Sequence, residues 1–371
     1  MKKKIISIFI CLCMFLNGCY NYNDINKVLF VTTVALDVDA NNEPIMYVET
    51  FKPYRSSTAG SEKGEKIIYK GEAKTLLENF RSMGQSASYK LNGTQNKAII
   101  FSEKAAEYGI DNFIDLFDRD QEFLVREYVA VYEGDIENLF KLKIKSEEYI
   151  GIFLVDLLDN IGTASRSIRL SMNDYLNKRI EPGKTCVMTV INSDCTQMED
   201  MIRINGGAII KNSKMVDRLP ELDSQGYNFL MNNVESGTLE VTNPEDDNKF
   251  VTLEILKSKT KSKLYFDEDV LKLKKIINVK ATFAEAQKSI TLTNKQEVEK
   301  ISQGAEKNIV ISCKDVFDKY KNKNLDIFEV ESEFNRKYPH KSYKNILKNT
   351  ELEIEVNVSV EGSSNKFNFT E

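Results

Sequence analysis

Val28-Leu-Phe-Val-Thr-Thr-Val-Ala-Leu-Asp37 is β-branched and apolar over ten residues, without the polar alternation of a half-wet strand. It predicts a strand covered on both faces. Pro44-Ile-Met-Tyr-Val-Glu-Thr-Phe51 follows as a partner strand, with Asn41-Asn42 supplying the turn. Pro53 to Glu65 is polar and rich in Ser and Gly, and reads as a mobile loop. Ala73, Leu76, Leu77, Phe80 and Met83 then recur at helical spacing. Lys97 to Ser102 and Arg126 to Tyr132 read as strands. Between them a helix places Ile110, Phe113, Ile114 and Phe117 on one side, and Ile150, Phe153, Leu154, Leu157, Leu158 and Ile161 form the clearest helical stripe.

Beyond a strand over Cys186–Asn192 the segment from Asp194 to Arg203 is polar, and a boundary is placed there. Downstream the reading is β-rich: 207–211, 237–242, 250–256, 263–266 and 276–284. A long amphipathic helix turns Val298, Ile301, Ala305, Ile309, Val310 and Phe317 inward. Leu352, Ile354, Val356, Val358 and Val360 alternate strictly with polar residues, as in an antiparallel sheet with one wet face. Strands and helices mix without regular βαβ alternation. The fold class is therefore α+β, with mixed, largely antiparallel sheets flanked by helices.

Among 371 residues, 42% are apolar and only six are Pro, which excludes a disordered or fibrous chain. No apolar stretch reaches the roughly 18 residues of a membrane span. One histidine, His340, cannot build a multi-histidine metal site and disfavours triad chemistry.

Met-Lys-Lys-Lys precedes an apolar run, Ile5 to Leu16, and then Asn17-Gly18-Cys19. This is the pattern of an export signal, residues 1–18, followed by a cysteine that becomes the lipidated N-terminus. Twelve apolar residues make about 18 Å of helix against about 30 Å of hydrocarbon, too short for a permanent span. Two or more acyl chains on Cys19, palmitate among them, anchor stably. An ordinary secretory signal with Cys19 incidental is the bland alternative. Loss of residues 1–18 removes three lysines and no acid, so net charge moves from −5 to −8. That balance argues against nucleic acid and against a polybasic membrane patch. The runs Lys272-Leu-Lys-Lys275 and Lys319-Tyr-Lys-Asn-Lys323 are interleaved with acids and read as solvated faces.

Cys186, Cys195 and Cys313 remain, without CxxC or zinc spacing. Cys186 and Cys195 flank an Asn192-Ser193-Asp194 turn; pairing across it and two buried thiols are both open readings. No Walker, GxSxG, HExxH, GxGxxG or EF-hand pattern occurs, so no catalytic residue, metal or cofactor is expected. The carboxylates Asp115, Asp118, Asp120 and Glu122 sit at a helix end, where the macrodipole does not favour them, with calcium as a minor reading. Glu245-Asp-Asp247 reads as a solvated turn and His340 as a surface residue.

The order of short motifs resembles the Ger(x)C family, lipoprotein C-subunits of nutrient receptors that trigger spore germination. Gly18-Cys19-Tyr20, Asp24-Ile25-Asn26 and Val31-Thr-Thr-Val-Ala-Leu-Asp37 parallel its lipobox, acidic turn and opening strand. Gly71-Glu72-Ala73, Ala98-Ile-Ile-Phe-Ser-Glu103, Tyr108-Gly109-Ile110 and Arg119-Asp120-Gln121-Glu122 follow in the family's order. So do Gly207-Ala-Ile-Ile-Lys-Asn-Ser-Lys-Met-Val216, Asp326-Ile-Phe-Glu329 and Tyr338-Pro339. Tyr20 stands for the family's Trp, Gln121 for Pro and Glu329 for Gly, and the C-terminal tryptophans are missing.

The resemblance implies three domains in the mature chain and no known catalytic activity. The implied partners are integral-membrane A- and B-type germinant receptor subunits, and the implied site is the outer face of the spore inner membrane. The segments are 1–18, a signal peptide; 19–198, an N-terminal α+β region with room for two structural domains; and 199–371, a C-terminal α+β domain. A substrate-binding lipoprotein of a membrane transporter is the main alternative, and an extracytoplasmic hydrolase a weaker one.

Overall fold

The computed structural model describes residues 27–52, 65–87, 89–160, 165–194, 199–288 and 295–363. The signal segment 1–18, Cys19, Cys195 and residues 53–64 of the expected loop lie outside the described residues.

The opening strand becomes β1 (Val28–Val38), paired antiparallel with β2 (Pro44–Lys52), which pairs with β3 (Glu65–Glu72). A helix, α1 (Leu76–Ser86), leads to β4 (Lys90–Asn92) and β5 (Ala98–Ser102), both parallel to β1. Two short helices, α2 (Glu103–Tyr108) and α3 (Asp111–Arg119), precede β6 (Tyr128–Glu133). Three more follow: α4 (Ile136–Lys141), α5 (Ile150–Asn160) and α6 (Met172–Lys178). The chain then runs through β7 (Thr185–Asp194), β8 (Met201–Lys211) and β9 (Lys214–Leu219). These nine strands form one sheet in the order β3-β2-β1-β5-β6-β7-β8-β9, with β4 beside β1.

β1, β5, β6 and β7 run parallel at the centre and the outer pairs are antiparallel. The parallel centre explains why β1 and β5 read as continuous apolar runs: each is buried on both faces. On one face α1, α2, α3 and α6 bring Phe80, Ala105, Phe113, Phe117 and Tyr175 onto the sheet. On the other, α4 and α5 bring Leu139, Phe140, Leu154 and Leu158. Ser171 caps α6 in a reciprocal box with Asp174, an arrangement worth about 1 kcal/mol.

A second sheet begins after α7 (Glu221–Met231) with β10 (Gly237–Asn243), β11 (Asp246–Asp267) and β12 (Val270–Ala286). Then come α8 (Lys295–Asn322), α9 (Val330–Lys337) and β13 (Thr350–Ser363). Its order is β10-β11-β12-β13. Leu253, Ile277, Val279 and Phe283 face Ile309, Val316 and Phe317 of α8 on one side. β13 keeps the expected alternation but joins β12 in parallel, not antiparallel, because the long α8–α9 connection returns the chain to the start of β12. The expected boundary at 198–199 falls between β7 and β8, which pair antiparallel, so the first sheet continues across it. Polar contacts tie the first sheet to the segment around the end of α8: Lys323–Asp217 at 2.5 Å, Lys211 Nζ to Asn324 O at 2.9 Å, and Tyr320 Oη to Arg218 O at 2.8 Å.

Candidate functional site

The described chain enters the fold at Lys27, where β1 starts beside β4 and the end of β2. Any anchor upstream holds this end of the sheet nearest to it. Phe30 stacks on Phe51 at 5.3 Å, Phe51 meets the edge of Tyr149 at 5.9 Å, and the Lys52 ammonium lies 4.3 Å from the Tyr89 ring centre. Rings and lysine stems together tolerate a wet–apolar boundary. Lys66 and Lys90 are neutralised by Glu49 and Glu122, at 3.0 and 2.7 Å. Among the described residues this end is amphipathic and not strongly basic.

Beneath it lies a fully buried carboxylate. Glu49 Oε2 accepts from Thr32 Oγ1 at 2.8 Å and Thr33 Oγ1 at 2.6 Å, and Oε1 from the Ile150 N–H at 3.1 Å. Adjacent strand residues normally point to opposite faces. Thr32 and Thr33 reach the same carboxylate because the β1–β2 register shifts between Val31 and Thr33. The start of α5 can come this close because residue 151 is glycine; a Cβ there would lie 2.1 Å from Thr32 O. Glu49 thus locks this end of the sheet to α5.

The carboxylates weighed for calcium are dispersed. Asp115 pairs with Arg119 at 2.6 Å, Asp118 faces Arg179 at 3.7 Å, and Glu122 pairs with Lys90. Asp120 accepts the Glu122 N–H at 2.9 Å. No group of three His, Cys, Asp or Glu side chains is placed to hold a metal among the described residues. Glu245 lies in the β10–β11 connection and Asp246 and Asp247 open β11; His340 is exposed in a turn. Cys186 and Cys313 are buried free thiols, and burial pushes both up to about 12, far from thiolate reactivity at neutral pH.

Sequence reasoning missed three polar features. Arg218 of β9 pairs with Glu103 at the start of α2 and with Glu133 at 3.1 Å, while Asn205 Nδ2 donates to Glu133 at 2.8 Å. Burial would raise the Glu133 carboxyl, but the bonds from Asn205 and Arg218 outweigh it and hold the group below the usual range. Glu127 is buried beside Asn96, and burial pushes its carboxyl up to about 8. Lys275 corrects an expectation: Lys272 and Lys274 stay on the outer face of β12, but Lys275 is buried. The signal was present in the parity it shares with Leu271, Leu273, Ile277 and Val279.

The body is α+β, with a parallel-centred first sheet and a second sheet packed against helices on one face. Residues 21–193 match the family described as spore germination protein N-terminal domain, and residues 205–364 match spore germination B3/GerAC-like, C-terminal. The chain belongs to this spore germination family, as its motif order indicated. It is 25% identical over 326 residues to spore germination protein GerQC of Bacillus cereus, covering 88% of each chain. Spore germination protein B3 of Bacillus subtilis (strain 168) is 22% identical over 256 residues, covering 66% of this chain and 65% of that one. The crystal structure of the GerBC protein superimposes with a TM-score of 0.57 at 17% identity, covering 88% of this chain and 96% of the other, and shares the fold.

Proposed function

We propose that this chain is the C-subunit of a nutrient germinant receptor. It is non-catalytic, anchored through acylated Cys19 to the outer face of the spore inner membrane, and acts through contacts with integral-membrane A- and B-type subunits. The carrying observation is the family match through both halves of the chain. In this reading residues 1–18 are removed on export, and the eight residues Tyr20 to Lys27 allow at most about 29 Å of reach. Partner contacts then fall on the end of the first sheet around Phe30, Lys52 and Tyr89, whose mixed aromatic and cationic character suits a headgroup-level position. The test is affinity purification of the tagged full chain from dormant-spore membranes. Two integral-membrane germination proteins are expected to co-purify. Recovery of the chain alone, or with a transporter's ATPase, would overturn the assignment.

A further inference from the structure

On the inner face of β12 Lys275 stands among buried apolar side chains, with Leu271 and Leu273 before it and Ile277 and Val279 after it. Lys275 is 5% exposed, and among the described residues its ammonium has no hydrogen bond and no carboxylate at ion-pair distance. It lines a cavity of about 200 Å³ with Thr260, Ser262, Glu329, Glu333 and Arg336. The two acids are engaged elsewhere. Glu333 accepts from Ser262 Oγ at 3.1 Å and the Leu264 N–H at 3.2 Å, while Glu329 pairs with Lys178. Arg336 is exposed. A buried cation left without a partner is costly, and an apolar side chain of similar volume would be more stable there. Such a charge makes sense where something else supplies the counter-charge.

We propose that this cavity binds a small monocarboxylate, its carboxylate on the Lys275 ammonium and Arg336 closing over it from the mouth. The volume lies below the roughly 300–1,000 Å³ that accept drug-sized ligands, which limits the guest to a few heavy atoms. Glu329 and Glu333 repel a doubly charged anion such as phosphate more strongly than a singly charged one. Leu230, Met231 and Phe328 give a short hydrocarbon group an apolar wall. Burial lowers the proton affinity of Lys275 while Glu333, Glu329 and Asp326 act against it through space, and a bound carboxylate adds to their side.

The test is calorimetric titration of the detergent-solubilised full chain with sodium acetate, propionate and inorganic phosphate at matched ionic strength. Acetate and propionate should bind saturably in the millimolar range, and phosphate at least tenfold more weakly. Lys275→Met should abolish the binding while unfolding at a higher denaturant concentration than wild type, which separates a lost site from a lost fold. Arg336→Gln should weaken binding several-fold. Equal binding by Lys275→Met, phosphate binding as tight as acetate, or no saturable heat from either carboxylate through tens of millimolar would each overturn the proposal. None of these outcomes depends on the receptor assignment.

Discussion

The Glu329 carboxylate rests on the Lys178 ammonium although 151 residues separate them, and it does so from a left-handed backbone, φ 61° and ψ 26°, at the entry to α9. The family's Gly at this place explains itself: glycine takes that conformation without the Cβ clash that costs other residues about 1–2 kcal/mol. Here the side chain gives back a partly buried ion pair, worth about 0–1 kcal/mol. Glu329→Gly should therefore leave stability within about 1 kcal/mol of wild type, whereas Glu329→Val, β-branched and unpaired, should lose about 2 kcal/mol. Urea unfolding midpoints of the two variants check this.

The Glu49–Gly151 lock between β1, β2 and α5 should be far less forgiving. Gly151→Ala drives a methyl against Thr32 O at 2.1 Å and should cost about 3 kcal/mol or more. Glu49→Leu strands the Thr32 and Thr33 hydroxyls, the Ile150 N–H and the Lys66 ammonium, and should cost about 3–5 kcal/mol. Denaturant unfolding followed by near-ultraviolet circular dichroism would register both losses.

What the sequence disclosed and what it hid divide along physical lines. β1, β5 and the α5 stripe were legible because burial on both faces, or on one helical stripe, leaves an apolar period. The bulge at Thr32–Thr33 left none, since it depends on the partner strand. β11 read as two pieces because Lys257 to Ser262 is polar throughout; Thr260 holds that stretch through its hydroxyl bond to Phe229 O at 2.6 Å. α7 escaped notice because it buries Ser224, Gly226 and Asn228 between β8 and α8, where a Cβ on residue 226 would sit 2.4 Å from Ser312 O. Cys19, proposed from its position behind an apolar run, lies outside the described residues, whereas Lys275 lay hidden in a lysine run whose inward member only strand parity identifies.

Buried Glu127 gives stability a pH dependence of definite sign. Its carboxyl titrates near 8 in the fold against 4.5 as the ordinary value, so the native chain holds a proton that the unfolded chain releases across that window. Stability then falls as pH rises from about 4.5 to 8, by up to about 1.4 kcal/mol per pH unit from this group. Glu127→Gln should flatten the slope and be the more stable protein at pH 8. Unfolding free energies at half-unit pH steps decide it; an unchanged slope would show that another group sets the dependence.

β13 is an edge strand whose open side is covered from α8: the Val358 N–H donates to Glu306 Oε1 at 2.9 Å and Lys321 Nζ to Thr350 O at 2.7 Å. Val358 is buried and Val356 only half-buried. Val358→Asp should thus cost about 3 kcal/mol and Val356→Asp roughly half of that. Removing the edge cover by Glu306→Ala should increase self-association more than it lowers stability, readable by light scattering beside denaturant unfolding.

The proposed anchor can be tested on its own, and its failure would be plain. An apolar run of twelve residues engages export but does not hold a protein in a bilayer, and no helix among the described residues is long and apolar enough to cross one. If acyl chains on Cys19 supply the attachment, Cys19→Ala should abolish incorporation of labelled palmitate and move the protein from the membrane to the soluble fraction in high salt. Near-ultraviolet circular dichroism should show the folded body unchanged. Nutrient-triggered germination should then fall toward the level of a deletion strain, while germination by routes that bypass nutrient receptors stays intact. A Cys19→Ala protein that remains membrane-bound only while its integral-membrane partners are present would assign the attachment to protein contacts. One that remains bound without them would refute the anchor.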